Sequence, residues 1–192
     1  MRIVTILALT LTLLMPTFSF GAEALGPSEK HSKSEGLKGK VIPNFYVLAI
    51  DNATELSKKK LAEEAKKQGA KRIVFSFFAT WCVENCGAEF VKLKENVGKL
   101  KENGVSVYLI DVGEKIMQKG KLVSEFVSEF AGNAFPFYFD DNVSLLKDLG
   151  IIERNAVQAE LPIIVIMDAD LKILSVFDRA GNDFPQILWS DL

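Results

Sequence analysis

An α/β fold with a central mixed sheet flanked by helices is predicted by three observations on this sequence. First, Ile73-Val74-Phe75-Ser76-Phe77-Phe78 and Val105-Ser106-Val107-Tyr108-Leu109-Ile110-Asp111 are short runs rich in β-branched and aromatic residues, which suits strands buried on both faces. Second, Phe90, Val91, Leu93, Val97 and Leu100 recur between them near a helical period, and Gly104 ends the pattern. A strand–helix–strand unit of this length implies a right-handed crossover and a parallel pair. Third, Leu161–Met167 and Lys172–Phe177 flank the turn Asp168-Ala169-Asp170, an antiparallel hairpin.

At the N-terminus, Arg2 precedes the apolar run Ile3–Leu14, then the breaker Pro16 and the small residues Ser19, Gly21, Ala22 and Ala24. This is the pattern of an export signal, assigned to residues 1–21. The alternative is an uncleaved membrane anchor, because Ile3–Phe20 approaches spanning length. Removal of residues 1–21 leaves about 170 residues, enough for one domain with a full core, carrying 22 basic and 25 acidic side chains. A net charge of −3 gives no electrostatic case for nucleic acid. No other apolar run is long enough to span a bilayer, so the mature protein is expected in the periplasm or another extracytoplasmic space, where disulfides persist.

Residues 22–40 read as a flexible tether, with glycine and Pro27 among lysines, serines and glutamates. His31, the only histidine, is read as a solvated residue of that tether. Residues 41–192 form the domain. Val41–Ile50 carries a turn at Pro43-Asn44 and then a candidate edge strand. Thr54 or Ser57 can cap a helix through Leu61, Ala62 and Ala65 that stops at Gly69, with Lys58–Lys60 on its solvated face. Gly113–Gly120 is expected as a connection, followed by an amphipathic helix through Leu122, Val123, Phe126, Val127 and Phe130. Phe135–Phe139 is a short strand, placed at an edge by Pro136. Asp141 or Asn142 caps a small helix through Leu145, Leu146 and Leu149, and Ile151–Glu160 is a loop. The tail Asp178–Leu192 carries Phe184, Ile187, Leu188 and Trp189 and is left open between short helix and turn.

Both cysteines, Cys82 and Cys86, lie where the first buried strand hands over to its helix. The positive end of a helix stabilises a thiolate there, so the stretch points to redox or metal chemistry. With only two cysteines, they can pair with each other or act on partners. The run Phe78-Ala79-Thr80-Trp81-Cys82 resembles the active-site approach of the extracytoplasmic thioredoxin-like redoxins, the TlpA/ResA and AhpC/TSA types. Leu109-Ile110-Asp111-Val112, Phe135–Asp140 and Leu161-Pro162 ahead of Ile163–Asp170 support it in the family's order.

The resemblance implies a thioredoxin-like fold and thiol–disulfide exchange with protein thiols or disulfides, fed by an upstream donor such as a membrane electron carrier and needing no cofactor. It also implies a cis Pro162 facing the cysteines, with the backbone of Leu161 pairing with the bound partner. Trp81 and Glu84 flank the thiols, and the Glu84 carboxylate opposes thiolate formation. Two departures stand out. Leu171 occupies a hairpin position where the family carries glycine, so that hairpin is expected to turn differently. The cysteines are spaced Cys-x-x-x-Cys rather than Cys-x-x-Cys, with Asn85 at the second thiol position. Residues four apart in an α-helix hold their Cβ atoms roughly 5–6 Å apart, whereas a disulfide wants about 3.5–4.5 Å. Pairing therefore requires Cys82 in the loop or a distorted first turn.

Two alternatives stay open. Cys-x-x-x-Cys is also the spacing of the Sco copper chaperones, in which Cys82 and Cys86 would bind Cu(I). That family's distal histidine has no counterpart here beyond His31. The other is a redox-inactive interaction module. Peroxidase chemistry is disfavoured because Val83 stands where such enzymes place Thr or Ser.

Overall fold

The structure, a computed structural model, describes residues 36–178 apart from 52, 157 and 158. The export signal, most of the tether with His31, and the tail from 179 onward lie outside the described residues. The elements are β1 (Tyr46–Leu48), β2 (Glu55–Ser57), α1 (Lys58–Gln68), β3 (Arg72–Phe78), a π-helical turn (Val83–Gly87), α2 (Ala88–Glu95) and α3 (Val97–Glu102). They continue with β4 (Val105–Asp111), α4 (Ile116–Ala131), β5 (Phe137–Phe139), α5 (Ser144–Asp148), β6 (Ile163–Asp168) and β7 (Ile173–Asp178). Among the described residues, seven strands form one sheet in the order β2-β1-β5-β4-β3-β6-β7. β3 runs parallel to β4, and β4 to β5. β6 lies antiparallel to both β3 and β7. The mixed sheet expected from the crossover and the hairpin is therefore present.

Alternation along β3 and β4 sorts their side chains between two helical layers. Ser106 Oγ donates to Gln68 Oε1 and Tyr108 Oη to Glu64 Oε2, so these residues face α1. Phe75 packs edge-on against Phe45, Phe77 and Tyr108 in this layer. On the other face, Ser76 reaches α2 and Phe78 packs with Phe90 of α2 and Phe126 of α4. Each fully buried phenylalanine contributes roughly 1.5–3 kcal/mol over its exposed state. α1 starts at Ser57, whose Oγ accepts the Lys60 N–H, and ends on Gly69 at φ 63°, whose N–H donates to Ala65 O and Lys66 O.

The structure corrects several local expectations. β1 is not an edge strand: Pro43 lies before it, and it pairs with β5 on one side and with β2 on the other. The edge is β2, a three-residue strand too short to show a period in the sequence. β5 is likewise internal, because Pro136 precedes its first residue and uses only its carbonyl, which accepts the Leu109 N–H at 3.0 Å. α4 begins at Ile116, inside the segment expected as a connection. Leu122 on α4 is exposed, while Val123, Phe126 and Val127 form its buried face. The single helix expected through Phe90, Val91, Leu93, Val97 and Leu100 is two helices that meet at Asn96.

The N-cap position of α5 is Val143, and the side chain that satisfies its first amides is Asp140, not Asp141 or Asn142. The Asp140 carboxylate accepts the Ser144 N–H and hydroxyl and the Leu145 N–H. The hairpin departure resolves simply: Leu171 itself adopts the left-handed φ of 62° while its side chain is buried. The end of the expected tether is docked on β7, where Gly39 N–H donates to Ile173 O and Ile173 N–H to Lys40 O.

Candidate active site

β3 is held by neighbours on both sides, so its C-terminal end at Phe78 is a fixed platform. The chain leaves it through a tight turn in which Cys82 N–H donates to Ala79 O at 3.0 Å. Trp81, 56 % exposed, projects from this turn. Cys82 then serves as the N-cap of the π-helical turn Val83–Gly87. A π turn spends an extra residue per hydrogen-bonded ring, which carries position i+4 back over position i. This local unwinding solves the spacing problem posed by Cys-x-x-x-Cys. Cys82 and Cys86 form a disulfide with Cα atoms 5.4 Å apart, inside the usual range. Of the two arrangements that allow pairing, Cys82 in the loop or a distorted first turn, the structure combines both: Cys82 precedes a first turn that is π-helical.

The two sulfurs are not equivalent. Cys82 is 7 % exposed and Cys86 is fully buried, so an incoming thiol reaches Cys82 first. Gly87 lets the π turn lie on α4: a Cβ placed there would be 3.0 Å from the Phe130 ring. The Leu161–Pro162 peptide is cis. Ile163 pairs with Phe77, so Pro162 reaches the same end of the sheet as the cysteines, one strand over. Trp81, Cys82, Cys86, Leu161 and Pro162 thus gather at one end of β3 and β6. Glu84 is exposed on the π turn, where water screens its carboxylate.

Among the described residues, three acids besides Asp140 are buried, near the cysteines, and were not legible as such in the sequence. Glu89, three residues after Cys86 and on the same helical side, is 3 % exposed. Its Oε1 accepts the Ser76 hydroxyl hydrogen at 2.5 Å. Its Oε2 has no hydrogen-bond partner among the described residues. Burial pushes the Glu89 carboxyl up to about 8, against the opposing effects of the Ser76 hydrogen bond and Lys92.

The other two acids are Asp111, at the end of β4, and Glu114. Burial first, and then the adjoining Glu114 carboxyl, push Asp111 up to about 9. Glu114 accepts the Thr80 N–H at 3.2 Å, and also the Thr80 hydroxyl. Its own N–H donates to Asp111 Oδ1 at 3.0 Å. Gly113 lies so close to the turn that an added Cβ would be 2.2 Å from Ala79 Cβ and 3.0 Å from Trp81 Nε1. The corner Asp111–Glu114 therefore fixes the turn that presents Cys82. A signal for Glu89 did exist: Ser76 interrupts an otherwise apolar strand, and Glu89 falls on the face set by Phe90 and Leu93.

Among the described residues, no group of three or more His, Cys, Asp or Glu side chains is placed to hold a metal ion. No described helix is long and apolar enough to cross a membrane.

Comparison with solved structures places this arrangement among thioredoxin-fold proteins. The thioredoxin domain of a Bacteroides vulgatus thiol-disulfide oxidoreductase shares 18 % identity at a TM-score of 0.56, covering 80 % of this chain and 96 % of that one. A secreted Mycobacterium tuberculosis disulfide oxidoreductase, described as homologous to Escherichia coli DsbE, shares 18 % at 0.53, covering 77 % and 92 %. A Plasmodium vivax 2-Cys peroxiredoxin in its reduced form shares 18 % at 0.57, covering 80 % and 93 %. At these identities the likeness concerns the fold. No curated protein matches the chain by sequence. The Redoxin family matches residues 16–187, nearly the whole sequence and every element described above. The chain belongs to the Redoxin family.

Proposed function

We propose that this protein is an exported thiol–disulfide oxidoreductase that exchanges disulfides with protein partners through Cys82 and Cys86. The observation that carries the reading is the disulfide itself, with Cys82 outermost and Cys86 buried at the sheet end shared with the cis Leu161–Pro162 bond. In the oxidised form, a partner thiolate attacks Cys82 Sγ. The Cys82–Cys86 bond breaks, a mixed disulfide forms on Cys82, and the electron pair leaves on Cys86. A second partner thiolate then releases the oxidised partner and leaves Cys82 reduced. In the reverse direction the Cys82 thiolate attacks a partner disulfide, and Cys86 resolves the mixed disulfide.

Glu89 is the residue placed to exchange a proton with Cys86. Its carboxyl, pushed up to about 8, matches a thiol whose ordinary value is about 8.5. Leu161 and Pro162 offer backbone to the bound partner, and Trp81 and Val83 give it an exposed apolar rim. The reaction needs no cofactor, because the electrons move between sulfurs. The charged, apolar and small-residue pattern of residues 1–21 supports export, and a membrane electron donor is a fitting upstream partner.

Reduction of insulin by the purified mature chain tests this reading. Cys86→Ser should accumulate a mixed disulfide on Cys82, and Cys82→Ser should be inactive. Wild-type activity no greater than that of Cys82→Ser would reject it in favour of an inactive interaction module. The spacing also allows Cu(I) between the two thiolates of the reduced form. Stoichiometric Cu(I) binding that is lost in Cys86→Ser would establish that second role.

A further inference from the structure

β4 is longer than one of its two neighbours. β3 covers it from Val105 to Asp111, whereas β5 pairs only with Leu109, Ile110 and Asp111. On the β5 side, Leu109 N–H donates to Pro136 O at 3.0 Å, and Asp111 O accepts the Asp140 N–H at 2.8 Å. By the alternation of a strand, the N–H and C=O groups of Val105 and Val107 point to this same side. Continuing the register, the donor opposite Val107 would be residue 136, a proline with no N–H, so the ladder ends there. Among the described residues, no strand pairs with Val105 or Val107 on this side. They are 6 % and 4 % exposed, so their peptide groups are largely withdrawn from bulk water, where unpaired groups are costly.

These groups floor a groove of about 750 Å³. Lys67 and Gln68 of α1 and Leu100 and Lys101 of α3 wall it, with Phe135 at one end. Glu64, also in the groove, accepts the Tyr108 hydroxyl hydrogen at 3.2 Å, and its charge set against those of Lys67 and Lys101 leaves the groove one net positive charge.

We propose that this groove takes an extended acidic segment of a partner protein, which adds to the open edge of β4 at Val105–Val107 as a short strand. Evenly spaced backbone donors and acceptors are matched by another strand, and a single extended segment can enter between two helices. A second copy of the domain would bring a sheet edge flanked by its own helices. Lys67 and Lys101 select an acidic residue beside the added strand. Six residues at about 3.3 Å each put this edge roughly 20 Å from the end that carries Cys82. A partner tethered here leaves the disulfide open, and its own thiols are held at high effective concentration. The binding stands independently of disulfide exchange, and only the benefit of tethering rests on that reading.

The test uses the full mature chain, labelled with nitrogen-15 and titrated with an acetylated, amidated Glu-Val-Thr-Val-Thr-Glu peptide. Two analogues are N-methylated on alternate amides, so that each blocks one edge of the peptide. The peptide should shift the Val105 and Val107 amide signals and slow their hydrogen exchange. One analogue should bind at least tenfold more weakly while the other binds like the parent. The double variant Lys67→Glu, Lys101→Glu should weaken binding of the parent peptide about tenfold. Unchanged Val105 and Val107 signals, or equal binding by both analogues, would overturn the proposal. So would concentration-dependent self-association that protects the same amides without peptide, which would make a second copy the occupant.

Discussion

Replacing Glu89 by glutamine removes one buried titrating group three residues after Cys86 while keeping its shape and its ability to accept the Ser76 hydroxyl. In the folded protein the carboxyl holds its proton up to about 8, against an ordinary value of 4.5. Between these limits the unfolded chain binds fewer protons than the folded one, so stability falls as pH rises. The stabilisation is fully present below pH 4.5 and is lost as pH passes about 8. Each unit corresponds to about 1.4 kcal/mol, so the whole window amounts to roughly 5 kcal/mol. Glu89→Gln lacks this slope. Its unfolding free energy minus that of the wild type should be flat at acid pH, rise by about 1.4 kcal/mol per unit through the window, and level off above it. Urea unfolding of both proteins, disulfide intact, at intervals from pH 4 to 9 measures the difference. Asp111 titrates in both proteins and cancels to first order. A difference that stays constant across the range would show that Glu89 ionises as an exposed glutamate does, and would remove it as the proton partner of Cys86.

Two other substitutions test the supports of the site. Gly113→Ala places a Cβ 2.2 Å from Ala79 Cβ and 3.0 Å from Trp81 Nε1, so it should cost about 1–3 kcal/mol in chemical denaturation. It should also change the rate at which reduced Cys82 is alkylated, because the displaced turn carries that residue. Asp140→Ala removes the acceptor of the Ser144 N–H at 2.9 Å, the Ser144 hydroxyl at 2.7 Å and the Leu145 N–H at 2.8 Å. It should cost about 1–2 kcal/mol and leave thiol exchange unchanged.

The central architecture was legible because β3, β4 and β6 are buried on both faces, and burial leaves an apolar signature that survives without structural context. The cis Pro162 and the distorted turn were reached by different routes, one from the family resemblance and the other from Cβ geometry. The edges were not legible because a proline in an apolar run does not reveal whether it lies inside the strand or just before it. Pro43 and Pro136 both precede their strands, so neither interrupts one, and Pro136 marks where the β4–β5 ladder ends. β2 was invisible because three residues, Glu55–Ser57, cannot display a period of two. The capping side chain of α5 was displaced because Asp140 reaches past Asp141 and Asn142 to the Ser144 and Leu145 amides. The buried acids were passed over for a related reason. Glutamate and aspartate read as surface residues until a neighbour such as Ser76 or Thr80 is found to aim a hydroxyl at them.

The central claim, that Cys82 and Cys86 form a reversible redox pair, is tested most directly by equilibrating the mature chain in glutathione buffers of graded potential. Mass spectrometry of the trapped thiols then gives the fraction oxidised. The account predicts a single two-electron transition within one chain, with a midpoint between about −120 and −300 mV, the range of working exchangers. Thiols that stay reduced throughout, an intermolecular dimer as the oxidised product, or a midpoint below about −300 mV, where structural disulfides lie, would contradict it.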